Sequence, residues 1–244
     1  MERPLVSREY WNGKGVCSSN FEDKVIFSEL FSTYLKNIGK NKVAIEIGCV
    51  PGLYLAYVCK HFGYFPEGID FVRDSEEITG QTLRNFGLNE YEIYNEDFLK
   101  WKTEKKYDLV LSLGFIEHFL DTDEIIKKHV SLLKKGGKII VEVPNFRYGQ
   151  MWLHYFLDRE NLLRHNTNVM NISYFKTVAK KYTLKIDHLG YYGGLFRFWW
   201  ENKKPTKVQR IAHYFLTLVG EVTRRIGMNN RYFSPYLIMI AEKK

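Results

Sequence analysis

Four positions able to carry acid–base or hydrogen-bonding chemistry recur along the first half of the chain, each near the end of a β-branched or aromatic run. Glu46 closes residues 43–47 (VAIEI), Asp70 follows 65–69, Asp97 follows 91–95 (YEIYN), and Glu117-His118 follows 107–113 (YDLVLSL). Carboxylates accept hydrogen bonds and attract cations, so three of them along one edge suit a ligand rich in hydroxyl groups with a positive end. Imidazole titrates near neutrality unaided, which makes His118, beside Glu117, the candidate base, with His165 in RHNTNVMN its rival.

The turn after Glu46 narrows the ligand. KVAIEIGCVPGL (42–53) reads as strand, glycine turn and the start of a helix. At the C-terminal edge of a parallel sheet such a turn is expected to expose backbone N–H groups and to aim a helix N-terminus into a crevice. Gly48 and Gly52 let the backbone turn sharply there. Their spacing does not make G-x-G-x-x-G, and Glu46 precedes the turn, so a dinucleotide fingerprint is absent and a cofactor with a cationic end fits better. Asp70, at the tip of the second strand, can accept from both ribose hydroxyls of a nucleotide lying across the turn. Asp97 can accept from an adenine amino group, with Phe98 against the ring. Each has a plainer alternative: a helix start for Asp70, a solvated turn for Glu96-Asp97, packing of the next helix for His118.

These groups meet only if the strands carrying them are parallel neighbours, and the order of elements supplies that. Strands at 43–47, 65–69, 91–95, 107–113 and 138–143 alternate with helices at 53–62, 74–87 and 121–134, the pattern of an α/β doubly wound, Rossmann-like sheet. Asp74 and Ser75 are candidate helix caps, and Asn171 caps a helix to 181. Strands at 184–189 and 235–240 complete seven. Ahead of the sheet, 8–15 reads as an aromatic loop and 22–38 as a helix. Tyr10 and Trp11 can fold over an adenosyl group or simply pack the arm.

Bulk properties set the context. A chain of 244 residues buries one substantial core, and a net charge of +8 favours an anionic partner. Three cysteines without C-x-x-C suggest neither disulfides nor a zinc knuckle, which fits a reducing, cytoplasmic setting, and nothing has metal-ligand spacing. Neither a signal peptide nor a spanning apolar run is evident.

In order and spacing, VAIEIGCVPG, GID, EDF, YDLVLSLGFIEHF and LLKKGGKIIVEVPN resemble the class I S-adenosylmethionine-dependent methyltransferases. The resemblance covers residues 42–145 in detail and 172–244 more loosely. It implies seven strands with an antiparallel last strand and S-adenosyl-L-methionine as cofactor. It also implies that Glu46 orients the methionine-binding turn, that Gly48, Cys49 and Gly52 contribute backbone, and that Asp70, with Phe71 beside it, holds the ribose. Asp97 and Phe98 would flank adenine, and Ser112, Leu113 and Gly114 would line the methyl. Where the family pattern has a second glycine, this chain has Val50, a β-branched residue ill suited to φ > 0, so an inactive relative that keeps the fold is an alternative.

One domain over 1–244 is expected: an arm and helix (1–40), a cofactor-binding core (42–145), and insertions at 146–171 and 195–232 acting as a substrate lid. The second insertion carries an apolar helical face (Val208, Ile211, Phe215, Val222) with basic residues near its ends. It is expected to pack on the body or a homodimer partner, with membrane-surface docking second and nucleic acid third, since no RNA-binding module is appended. The reading is O-methylation of a small carbohydrate-related or nucleotide-linked, phosphorylated acceptor. A membrane-associated quinone or lipid methyltransferase, an RNA methyltransferase and an inactive binding protein are the alternatives.

Overall fold

The β-branched runs form strands and the segments between them form helices on both faces. In chain order these are α1 (Arg8–Gly13), α2 (Ser28–Tyr34), β1 (Val43–Ile47), α3 (Leu53–Phe62), β2 (Phe65–Ile69), α4 (Ser75–Asn85), β3 (Glu92–Tyr94) and β4 (Tyr107–Leu113). Then come α5 (Thr122–Ser131), β5 (Leu133–Pro144), α6 (Tyr148–Leu157), α7 (Arg159–Leu163), α8 (Ile172–Lys181), β6 (Leu184–Tyr192), α9 (Lys207–Arg225) and β7 (Tyr236–Lys243). The computed structural model describes residues 4–13, 25–36, 41–196 and 205–244. The aromatic run 197–200 and both ends of the expected 22–38 helix lie outside them.

The seven strands stand in the order β3-β2-β1-β4-β5-β7-β6, parallel except for β7, which runs antiparallel to both neighbours. Side chains alternate between the faces: Leu237, Met239 and Ala241 of β7 join one core with Ile125, Phe175 and Val178, while Ile238 and Ile240 join the other with Phe31, Leu55 and Leu83. Burying each of these side chains other than Ala241 contributes about 1.5–3 kcal/mol, and both faces of the central strands are covered.

Several boundaries differ from expectation. Residues 8–13 are helical rather than loop. α5 ends at Ser131 instead of running to Lys134, and Gly136-Gly137 lie inside a longer β5 that begins at Leu133. Asp74 occupies the N-cap of α4 at φ +60° without a side-chain cap, and Ser75 instead donates to the Asp70 carbonyl at 3.3 Å. Asn171 caps α8 as expected, accepting from the Tyr174 N–H at 2.9 Å.

Candidate active site

The parallel strands bring Glu46, Asp70 and Gly114 to one edge, Ile47 lying opposite Ile69 and Glu46 opposite Leu111 in register. The turn after β1 does not expose its N–H groups as expected. Those of Gly48 and Cys49 both donate to the Ile69 carbonyl, at 2.9 and 3.3 Å, and that of Val50 donates to Asp70 Oδ2 at 3.0 Å. The start of α3 is also taken, because Glu46 Oε2 accepts from the Leu55 N–H at 3.0 Å. The Ile69 carbonyl and the carboxylates of Asp70 and Glu46 therefore occupy donors an anion would need, and the corner favours hydroxyl-bearing or cationic groups. Burial pushes the Glu46 carboxyl up to about 8; the Leu55 N–H opposes this and nearby Asp70 adds to it. Asp70 is raised as well, chiefly by burial, although Val72, Val50 and Phe71 N–H groups hold it down.

Positive φ falls on Gly48 (+72°) and Gly52 (+91°), not on Val50, so the β-branched residue imposes no left-handed strain on the turn. A Cβ on Gly48 would stand 2.7 Å from the Phe115 ring, and one on Gly52 2.6 Å from Thr79 Cγ2. The Cys49 side chain is buried, its sulfur 3.7 Å from Thr79 Oγ1, and burial raises its thiol well above the ordinary value, so with its N–H given to Ile69 only its carbonyl can serve a ligand.

Along β3 and β4 the expected residues divide into those on the crevice and those behind it. Asp97 Oδ1 accepts from the Leu99 N–H at 3.0 Å, closing the turn that follows β3. Phe98 is buried edge-on to Phe115 and His129. Ser112 is fully buried and hydrogen-bonds His129 Nε2 at 3.0 Å, while Nδ1 of that ring donates to the Ile125 carbonyl at 2.7 Å. Burial brings His129 down to about 4, so it is a neutral brace for β4. Leu113 is half-buried at the strand end. Gly114, at φ +67°, has beside it room in which an added Cβ would meet only Glu117 Oε1 at 3.7 Å.

Two residues escaped the sequence reading. Asn95 stitches β3 to the Asp70 loop, donating to the Asp70 and Val72 carbonyls at 3.2 and 2.6 Å. Glu142 on β5, opposite Leu113, is buried with Oε1 lacking a hydrogen-bond partner among the described residues, and burial pushes it up to about 8 against the Gly114 N–H. An acid within the apolar run KIIVEV was the available signal.

The second cluster centres on His118. Its Nδ1 lies 3.2 Å from the Arg164 carbonyl, which can only accept, so Nδ1 carries the proton and Nε2 is the basic nitrogen of the neutral ring. Glu117 Oε1 stands 3.9 Å from Nε2, and the ring of His165, whose Nδ1 donates to the Asn161 carbonyl at 2.6 Å, lies 4.6 Å away, tilted by 50°. Glu117, His118 and His165 each offer a donor atom, all within 4.8 Å of one another, an arrangement sequence spacing did not reveal. The segment 146–171 crosses this cluster and is sewn to it: Asn166 N–H donates to the Glu117 carbonyl at 2.7 Å, and its side-chain amide to the Phe119 carbonyl at 2.9 Å.

α1 joins the two clusters. Arg8 donates to the Phe71 carbonyl at 2.6 Å and Asn12 accepts from the Arg73 N–H at 2.8 Å, while Trp11 packs edge-on to His118 and Tyr10 accepts from Arg164 at 3.2 Å.

Comparison with known proteins adds the family. The model of the methyltransferase domain family matches residues 22–189, well over half of the chain. The chain belongs to this methyltransferase family. Among relatives of this methyltransferase, a ubiquinone biosynthesis O-methyltransferase of Pelagibacter ubique (strain HTCC1062) is 32% identical over 107 residues, 43% of this chain and 43% of that protein. The EEF1A lysine methyltransferase 2 of Danio rerio is 30% identical over 125 residues, 48% of this chain and 54% of that protein. The matches thus span about half the length of these relatives. Among solved structures, geranyl diphosphate C-methyltransferase from Streptomyces coelicolor A3(2), bound to Mg2+, geranyl diphosphate and S-adenosyl-L-homocysteine, superposes with a TM-score of 0.59 at 12% identity, over 88% of this chain and 78% of that one. That likeness establishes the methyltransferase fold, including the antiparallel β7.

Proposed function

We propose that the protein is an S-adenosylmethionine-dependent O-methyltransferase that acts on a hydroxyl group of a small molecule. The observation that carries this reading is the tautomer of His118, whose Nδ1–H is held by the Arg164 carbonyl so that Nε2, beside Glu117, is the basic nitrogen.

The corner fits the cofactor by its donor set. Asp70 accepts from the Val50 and Val72 N–H groups, with the Phe71 N–H a third, and of about four lone-pair positions retains acceptor capacity for a ribose hydroxyl. Glu46 offers a buried acid that a neighbouring ammonium would ionise. When bound, the cofactor supplies a methyl group already activated on a sulfonium.

The chain's own residues then have limited work. His118 Nε2 would take the proton of the acceptor hydroxyl, and Glu117 lies close enough to stabilise the resulting imidazolium. The Arg164 carbonyl holds the ring in place, and the stitched 146–171 segment excludes water and orients the acceptor.

The acceptor we favour is small, polar and carbohydrate-related or nucleotide-linked. Support comes from buried amides of the same segment: Asn161, whose carbonyl accepts from His165, is fully buried with both side-chain polar atoms lacking a partner among the described residues, and Gln150 Oε1 likewise lacks one. Buried polar atoms of this kind call for hydroxyl groups or water. A phenolic quinone precursor is the second reading, favoured by the name of the Pelagibacter relative. Transfer of labelled methyl from S-adenosylmethionine into a fractionated cell extract, with His118→Gln as control, separates them. Label in polar anionic metabolites supports the first acceptor and label in lipid-soluble phenols the second, whereas label in protein or RNA overturns both.

A further inference from the structure

α9 is mounted with its apolar side outward. Its polar and small residues face the body: Gln209 donates to the Leu157 carbonyl at the end of α6, the Gly220 carbonyl lies against Gly194, and Thr223 Oγ1 accepts from the Leu195 N–H at 2.8 Å. Arg224 reaches Glu29 on α2 at 3.2 Å. The opposite side carries Val208, Ile211, Phe215, Leu218, Val222 and Ile226, each 52–70% exposed. The helical spacing of these residues makes one continuous stripe. Of the two partners expected for this face, the body and a second subunit, the body is therefore not the one it packs on.

The surroundings of the stripe are basic. Lys207, Arg210 and Arg225 are exposed along it, and the single acid within α9, Glu221, is paired with Arg224 and Arg225 at 2.9 Å each. α6, joined to α9 through Gln209, adds Trp152 and Phe156, 56% and 75% exposed. No helix among the described residues is long and apolar enough to cross a membrane. An outward apolar stripe of five turns, edged by cations and joined to exposed aromatics, matches the headgroup boundary of a bilayer. A second copy of this chain would bring the same positive edge, whereas an anionic lipid surface complements it.

We propose that α9 docks the protein on an anionic phospholipid surface, its apolar stripe among the upper acyl chains and Lys207, Arg210 and Arg225 at the headgroups. The proposal concerns α9 and stands independently of the methyl-transfer reading.

Co-sedimentation of the full chain with phosphatidylglycerol/phosphatidylcholine vesicles, and with pure phosphatidylcholine vesicles, tests it. Wild-type protein is expected to pellet with the mixed vesicles and at least ~10-fold more weakly with pure phosphatidylcholine. Ile211→Glu combined with Leu218→Glu, at exposed positions, should abolish pelleting while leaving the thermal melt unchanged. Lys207→Gln with Arg210→Gln should weaken binding to the anionic vesicles by roughly 25-fold, at about 5-fold per charge. Absence of vesicle binding, or a double-glutamate variant that pellets like wild type, overturns the proposal. A dimer in light scattering that the same two glutamates dissociate would instead assign the stripe to a second copy.

Discussion

The indole of Trp11 stands edge-on to the imidazole of His118, ring centroids 5.1 Å apart and planes at 79°. The contact ties the first helix of the chain to the candidate base, and Arg8 and Asn12 of the same helix hold the loop after Asp70. Edge-to-face pairs are worth about 0.5–1.5 kcal/mol. Trp11→Ala is expected to lower kcat/KM by about 2- to 10-fold through a less ordered imidazole. Steady-state kinetics unchanged from wild type would show that α1 does not position His118.

Replacing the base should separate chemistry from binding. His118→Gln is expected to cost roughly 10²-fold or more in kcat with little change in cofactor affinity. His165→Gln, which alters only a neighbouring ring in this account, should cost less. Reversal of that order would move the role of base to His165.

Glycine chemistry at the corner can be isolated by comparison. Gly87 has φ +82° with nothing within 4 Å of an added Cβ, whereas Gly48 has φ +72° and the Phe115 ring at 2.7 Å. Gly87→Ala should destabilise by about 1 kcal/mol through backbone strain alone and bind cofactor normally. Gly48→Ala should be less stable than Gly87→Ala and also lose cofactor affinity, as thermal melts with and without cofactor would record. Equal cofactor affinity in the two variants would remove Gly48 from the site.

Buried acids predict the pH dependence of stability. Glu46 and Glu142 are both pushed from 4.5 up to about 8, so between these values the native state keeps protons that the unfolded chain has released. Stability therefore falls as pH rises through this window. His129, lowered from 6.5 to about 4, acts in the opposite sense below 6.5, so the decline should be clearest from pH 6.5 to 8. Differential scanning calorimetry of the ligand-free protein should show Tm falling over that interval, and Glu142→Gln should flatten the fall. A Tm that rises with pH there contradicts these assignments.

Much of the fold was legible because two periodicities carry it. β1, α3, β2 and β4 match their expected bounds residue for residue, since each is a short run whose side chains are mostly buried. Leu133 and Lys134 passed from the expected helix to β5 because Gly136-Gly137 reads locally as a helix stop, while pairing of Leu133 with Tyr107 draws the segment into the sheet. The carboxylates were legible from strand ends. The roles of the N–H groups around them were not, because Ile69 and Asp70, which take those donors, are some twenty residues away in the chain. The cluster of His118 with His165 depends on the Asn166 and Arg164 contacts across the sheet edge, and no local pattern encodes it. Whether α9 faces in or out was equally hidden, for a helix with one apolar side carries the same pattern either way.

Isothermal titration of the full chain with S-adenosylhomocysteine tests the cofactor corner most directly. The account predicts saturable binding at one site per chain. Absence of binding at millimolar ligand would contradict it and leave the acids of Glu46 and Asp70 as structural groups in an inactive fold.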